Sequence, residues 1–523
     1  MSSIPMKQIY ESSASPRPFE SQRTRQEKIR SLCDVGFPYS RKLSVHNSCV
    51  NALAFSTGDA RWLASAGDDP YVLLWDFHQD DLLAPSHVFR GPRANVFTLA
   101  FSATNQYLYS GDTNETILQY DLTRLTESST DPGLPASTFT SHSESVRSIS
   151  CHPELDAIFI SAGEDGKVML HDSRAEHRMS RAQATLQHNT SFTGAEFHPT
   201  IPHIFVTADD KGCVCLRDTR MAFGPLQTRS KDGVVQTYET ALSKPSLSYL
   251  CRPEATSVTF DRTGSKLAVT FLSYYPTIYG LTDPIPLAIC SGHNHPDGTP
   301  VLEGERTYVN SCTMKHGSFG GPGLDSDEYY SAGSDDFCAY IWKIPSIDEL
   351  TYLRETVTAD MWKSEGSERI AFTAFPIKDR HIPVDLSTPL CRLRGHKSIV
   401  NTALFHPYLP LILTAGVERH ILLHSATSIA SCVENLQFTS REVRQLPGPN
   451  MEDRRRMIRA LTSGIDLDDD ANTIALFDEI LRSEGDTDVF ETRRWDPDSD
   501  EEPDDNNSSE DEDSESSGVH LND

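Results

Sequence analysis

The chain has 523 residues, with 75 acidic and 47 basic side chains and a formal charge of −28. That balance argues against non-specific nucleic-acid binding, which needs Lys and Arg to displace counterions from phosphates. No apolar run reaches the roughly 18 residues of a membrane helix, and the N-terminus lacks the apolar stretch of a secretory signal. The 11 cysteines are odd in number and scattered, as in a reduced cytosolic or nuclear protein. The 29 Gly and 31 Pro are spread throughout and favour many short strands over long helices.

The first segment, residues 1–41, contains a basic, helix-compatible stretch at 19–32 whose thin apolar face is Phe19, Ile29 and Leu32. A repeat begins after it. His46 and Asp69 lie 23 residues apart and Asp69 and Asp76 seven apart, and His142, Asp165 and Asp172 reproduce both intervals. Between them a copy ends at Asp121 with Asn114 in the turn position. The fourth copy starts at His188 and ends at Asp218, with Lys211 at the turn and Asp210 displaced by one. A degenerate copy fills 255–281, another places Asp336 seven residues before Lys343, and the last pairs His396 with Glu418.

Each of the seven units holds three or four strands of period-2 alternation, too small a sheet to bury both faces alone. Stacking seven around an axis buries them against one another and leaves only short, protected edges. The expected fold is therefore all-β, a seven-bladed β-propeller over residues 42–430. The units resemble WD40 repeats, although among the seven units only the first ends in a full Trp-Asp pair, Trp75-Asp76. His46, His142, His188 and His396, with Asp69, Asp165 and Asp336, are expected to be buried blade residues that hydrogen-bond one another, since buried polar groups need partners.

Insertions fall at 221–250, at about 282–308 and at 346–388. The last carries Trp362, Phe372 and Phe375, enough aromatics to pack on the propeller, and is a candidate recognition loop. Residues 431–490 form a C-terminal extension. Its Asp468, Asp470, Asn472 and Glu479 nearly match a calcium loop, but Thr473 stands where the sharp turn wants Gly. The following residues instead suit an amphipathic helix with Ile474, Phe477 and Leu481 on one face. From Asp496 to the end there are 13 acidic residues and no Lys or Arg, so the rest of the chain carries −15. The segment 491–523 is expected to be disordered and acidic, with Ser508 and Ser509 candidates for acid-directed phosphorylation.

No phosphate-binding loop is present. His316-Gly317-Ser318-Phe319-Gly320 lacks the first Gly of a nucleophile elbow and suits a turn. His293 and His295 have no accompanying ligand pattern, and Cys213 and Cys215 share a strand face as blade core. No metal, cofactor or catalytic group is expected.

Two consecutive units end in Asp-x-Arg: Asp172 with Arg174, and Asp218 with Arg220. An Arg two residues past a strand end can present its planar donor fork at the blade rim. The pairs resemble the WDxR signature of WD-repeat substrate receptors of cullin-4 RING ubiquitin ligases, with His171 and Arg217 in place of Trp. The stretches 65–69, 72–75, 310–315, 331–337, 395–401 and 475–481 are similar to that family in the same order. The resemblance implies a non-catalytic receptor, in the nucleus or cytoplasm, that bridges an unknown protein substrate to the ligase adaptor, the damaged-DNA-binding propeller protein. It also implies that the arm before the first blade and Asp172, Arg174, Asp218 and Arg220 bind that adaptor. Neither membrane nor direct nucleic-acid binding is expected. A WD40 scaffold for chromatin or RNA processing is the open alternative.

Overall fold

The computed structural model describes residues 22–126, 133–174, 180–302, 304–364, 368–448, 470–485 and 488–491. Phe19, Asp468, Ser508, Ser509 and the acidic segment from Asp496 lie outside them. Seven sheets, antiparallel but for the short parallel strand Val384–Asp385 added to the fifth, follow one another, formed by residues 50–90, 96–139, 146–187, 192–237, 255–289, 317–393 and 400–425. The first strand of each sheet touches that of the next, and Val400–Phe405 touches Val50–Phe55, so the ring closes. These sheets are blades 1 to 7.

The period-2 pattern partitions each strand between two neighbours. In blade 1, Val72 and Leu74 pack with Val96, Leu108 and Tyr120 of blade 2, whereas Leu73 and Trp75 pack with Leu413 and Leu423 of blade 7. Burial on both sides explains why inner strands read as near-continuous apolar runs. In six blades a bulge interrupts the pairing of the first two strands, between Val50 and Ala52 in blade 1, for example. A bulge re-aims the extra residue. Arg147 and Phe97 occupy two such positions in adjacent blades, and the guanidinium lies over the ring at 5.1 Å.

Strand Tyr39–Ser44, from before the first blade, pairs in six-residue register with His420–Ser425 of the last. Residues 241–243 join three strands of the 346–388 insertion in an eighth, lateral sheet. Trp362 and Phe372 are buried as expected, and Trp362 Nε1 donates to Ser243 Oγ at 3.0 Å. Phe375 is exposed instead, because it tops the loop between two strands of that sheet. His316-Gly317-Ser318 is not a turn: Gly317–Gly320 is the inner strand of blade 6, where apposed neighbours override the local turn signal.

Two helices flank the ring. Gln22–Asp34 docks through Ile29, Leu32 and Cys33 on Leu324 and Tyr329 of blade 6, with Arg30 forked on Glu328 at 2.6–3.0 Å. Asp470–Glu484 is a helix, and Phe477 and Leu481 pack on Cys49, Phe337, Ile399 and Val417. Among the described residues no helix is long and apolar enough to cross a membrane.

Candidate functional site: the two faces of the ring

Antiparallel strands place the turns of every blade on two faces. Turns between the second and third strands, and the links between blades, share one face; the other turns share the opposite one. The histidines lie on the first. In blade 1, His46 Nδ1 sits 2.9 Å from Asp69 Oδ2 and its Nε2 2.8 Å from Ser65 Oγ, to which Trp75 Nε1 donates at 3.0 Å. With the proton on Nδ1, as the carboxylate requires, every donor of this His–Ser–Trp relay meets an acceptor.

Blade 3 keeps the relay with a substitution. His142 bridges Asp165 at 3.0 Å and Ser161 at 2.7 Å, and His171 Nε2, 2.8 Å from the same hydroxyl, fills the place of Trp. In blade 7 His396 bridges Glu418 at 2.7 Å and Thr414 at 2.8 Å, with His424 in the third place. Glu418 is held down to about 2 against its burial by the hydrogen bond from His396.

Two expectations fail here. His188 makes no bond to a turn carboxylate: its Nε2 is buried without a hydrogen-bond partner, and Asp209, not Asp210, accepts the turn amides. The cause is Arg217, whose Nε donates to Thr207 at 2.8 Å and whose Nη1 donates to the Asp232 carbonyl at 2.8 Å. Asp336 meets no histidine either; it accepts from Tyr340 at 2.6 Å. Blade 6 substitutes Lys315 for histidine. Its Nζ lies 2.5 Å from Asp335, both side chains essentially inaccessible to solvent, and Asp335 also accepts from the Ser311 and Cys312 amides.

These imidazoles give stability a pH dependence. Burial pushes His171, His406 and His424 down to about 3 and His316 and His420 to about 4. A histidine with a lowered folded pKa contributes stability that is present above about 6.5 and is lost as pH falls toward the folded value. Each group changes stability by at most about 1.4 kcal/mol per pH unit. Glu196, pushed up to about 8 by burial, acts in the opposite sense between its ordinary range and that value. The thermal midpoint is expected to fall between about pH 6.5 and 4, and H171W, which keeps a donor to Ser161 without a titrating group, to flatten that fall. An unchanged slope in H171W would show that blade 3 does not contribute.

The opposite face carries the Asp-x-Arg pairs. Arg174 Nε and Nη2 each lie 3.0 Å from an Asp172 oxygen, and Arg220 grips Asp218 at 3.0 and 2.6 Å. Both guanidinium groups are more than half exposed, so the bidentate pairing fixes their position while leaving one edge for a partner. His171 and Arg217 point into their blades and leave this geometry intact.

The same arrangement continues into blades 1 and 2, which sequence spacing missed. Arg61 forks on Asp76 at 3.1 and 2.7 Å from the facing strand, and Arg124 meets Asp121 at 3.1 Å. Four consecutive blades thus display an Asp-anchored arginine on one face. The helix Gln22–Asp34 lies on that face too, since its hydrogen-bond partner Asp325 and its ionic partners Glu328 and Lys343 occupy first-to-second turns and third-strand ends.

A channel of about 630 Å³ is lined by all seven inner strands. Its hydroxyls are committed to the framework: Ser148 donates to the Ala195 carbonyl, Ser257 to the Lys315 carbonyl, and Ser318 pairs with Ser331. Cys213 and Cys215 stand side by side with sulfurs 3.6 Å apart, as strand neighbours at i and i+2 must.

The WD domain, G-beta repeat family matches residues 37–76, 83–121, 133–172 and 387–425. The chain contains WD40 repeats. Those matches cover blades 1, 2, 3 and 7; the blades outside them are the ones with Arg217, Lys315 and the long insertions. This WD40 protein is 30% identical to the DDB1- and CUL4-associated factor 5 of Mus musculus and of Homo sapiens over 400 residues, 76% of its length. It spans about a third, 35%, of the length of those relatives. Protein ALTERED SEED GERMINATION 2 of Arabidopsis thaliana is 27% identical over 138 residues, 26% of this chain and 18% of that protein. The Cps50 (Swd1) β-propeller domain of Myceliophteria thermophila superposes with a TM-score of 0.46 at 16% identity, over 74% of this chain and 100% of that one. The propeller assignment stands on the seven sheets themselves.

Proposed function

We propose that this WD40 protein is a non-catalytic substrate receptor of a cullin-4 RING ubiquitin ligase, working inside the cell in nucleus or cytoplasm. The observation that carries the reading is the shared face: the Asp172–Arg174 and Asp218–Arg220 pairs lie on the same side of the ring as the N-terminal helix. The names of its relatives, DDB1- and CUL4-associated factors, supply the partner. The adaptor binds the arginine face and the arm of residues 1–41; the propeller at 42–430 and its insertions hold a protein substrate. Ubiquitin transfer belongs to other subunits.

R174E/R220E, expressed at full length, is expected to recover at least tenfold less adaptor and cullin in affinity purification. Its melting temperature should fall only modestly, because both arginines are exposed although Asp218 beneath Arg220 is buried. Undiminished recovery would sink the docking arrangement. Recovery of the wild type in a stable complex without adaptor or cullin would favour a scaffold for another assembly.

A further inference from the structure

In a chain so acidic, most rim arginines are matched to a carboxylate, as Arg30, Arg61, Arg147, Arg262, Arg354 and Arg444 are. Three that are not converge on one place. A groove of about 650 Å³ runs along Cys391–Leu393, the outermost strand of blade 6, and is lined by Arg392, Arg394 and Arg441. Among the described residues no carboxylate lies within ion-pair distance of any of the three. Arg392 Nε and Nη2 and Arg394 Nε are buried without a hydrogen-bond partner. Arg392 rests over the Tyr340 ring at 5.3 Å and Arg441 over Phe438 at 6.0 Å, so both cations are propped by aromatics without a direct ion pair.

The acids nearby are already committed: the buried Asp336 carboxylate, which Arg392 influences through space without an ion pair, accepts from Tyr340 at 2.6 Å. Asp297, which also lines the groove, accepts from the Thr299 amide and hydroxyl at 3.0 and 2.6 Å. Glu305 faces His295 at 3.3 Å. Leaving buried guanidinium donors unmatched costs free energy unless a ligand uses the cations.

We propose that this groove is a binding site for a phosphorylated serine or threonine on an extended peptide of a partner protein. One guanidinium suffices for a carboxylate; three cations around one cavity suit a phosphoryl group, which carries close to two charges at neutral pH and three acceptor oxygens. Arg392, on the edge strand, and Arg394, just past its end, stand at i and i+2 and both line the groove, the spacing at which an extended chain repeats its own side chains. The site is separate from the arginine face proposed to meet the adaptor and does not depend on that reading.

The test is fluorescence anisotropy of the full-length protein with a labelled peptide Gly-Ala-phosphoserine-Ala-Gly. The serine and glutamate versions and inorganic phosphate as competitor are the other arms. The phosphopeptide should bind at least tenfold more tightly than either analogue and be displaced by phosphate. R392E/R394E should weaken it at least tenfold, and K363E, a single charge reversal on an exposed helix elsewhere, should not. Should the double variant fail to fold, R441A on the exposed wall is expected to weaken binding severalfold. Equal binding of the serine or glutamate peptide, or affinity unmoved by both groove variants, would overturn the assignment.

Discussion

Replacing Lys315 with methionine is expected to destabilise the protein by about 3–5 kcal/mol, the range for a buried ion pair that loses one partner. Lys315 and Asp335 are sealed at 0% and 1% exposure. Methionine matches the stem of lysine but leaves the Asp335 oxygen that faced Nζ with no counter-charge. The two amides from Ser311 and Cys312 reach only the other oxygen. K315M/D335N removes the stranded charge and should recover part of the loss, so the two costs are not additive. Urea denaturation of the single and double variants measures both. A cost for K315M below about 1 kcal/mol would mean that the pair does not hold the blade 6 turn.

The second large effect concerns ring closure. Deleting residues 1–44 removes the strand Tyr39–Ser44, which fills the outer side of blade 7 by pairing with His420–Ser425. Without it His420–Ser425 becomes an exposed apolar edge, and Leu43 leaves the cluster shared by blades 1 and 7. The truncated chain is expected to aggregate or elute early in gel filtration and to be cut by protease within 400–425, where the intact chain resists. L43A is the milder version and should cost about 2–5 kcal/mol, as for other buried Leu→Ala changes. A truncated chain that stays monomeric and protease-resistant would show that the other contacts of blade 7 close the ring unaided.

Much of this architecture was legible in the sequence, because the period of a blade repeats its chemistry. His46 to Asp69 and His142 to Asp165 each mark a hydrogen-bonded pair. Where another side chain took over the buried position, spacing misled. Arg217 turned His188 out of its network, and Lys315 chose Asp335 where Asp336 was expected. Arg61 escaped notice for a different reason. It lies fifteen residues before Asp76 in sequence and meets it only because Trp62 pairs with Asp76 across the sheet. The groove beside Arg392 was equally invisible, since Arg441 reaches it from another blade. Local pattern finds what a blade repeats, whereas contacts across strands need the register.

The ring also sets a timetable for synthesis. The strand that closes it leaves the ribosome roughly 380 residues before its partner His420–Ser425. At about 5–20 residues per second, that interval lasts on the order of 20–80 s. Throughout it, Leu43 and its neighbours are an unpaired strand on a nascent chain, the species most open to wrong pairing. The arginines of blades 1–4 are all translated before the ring can shut, so any partner that engages them early would meet an open arc.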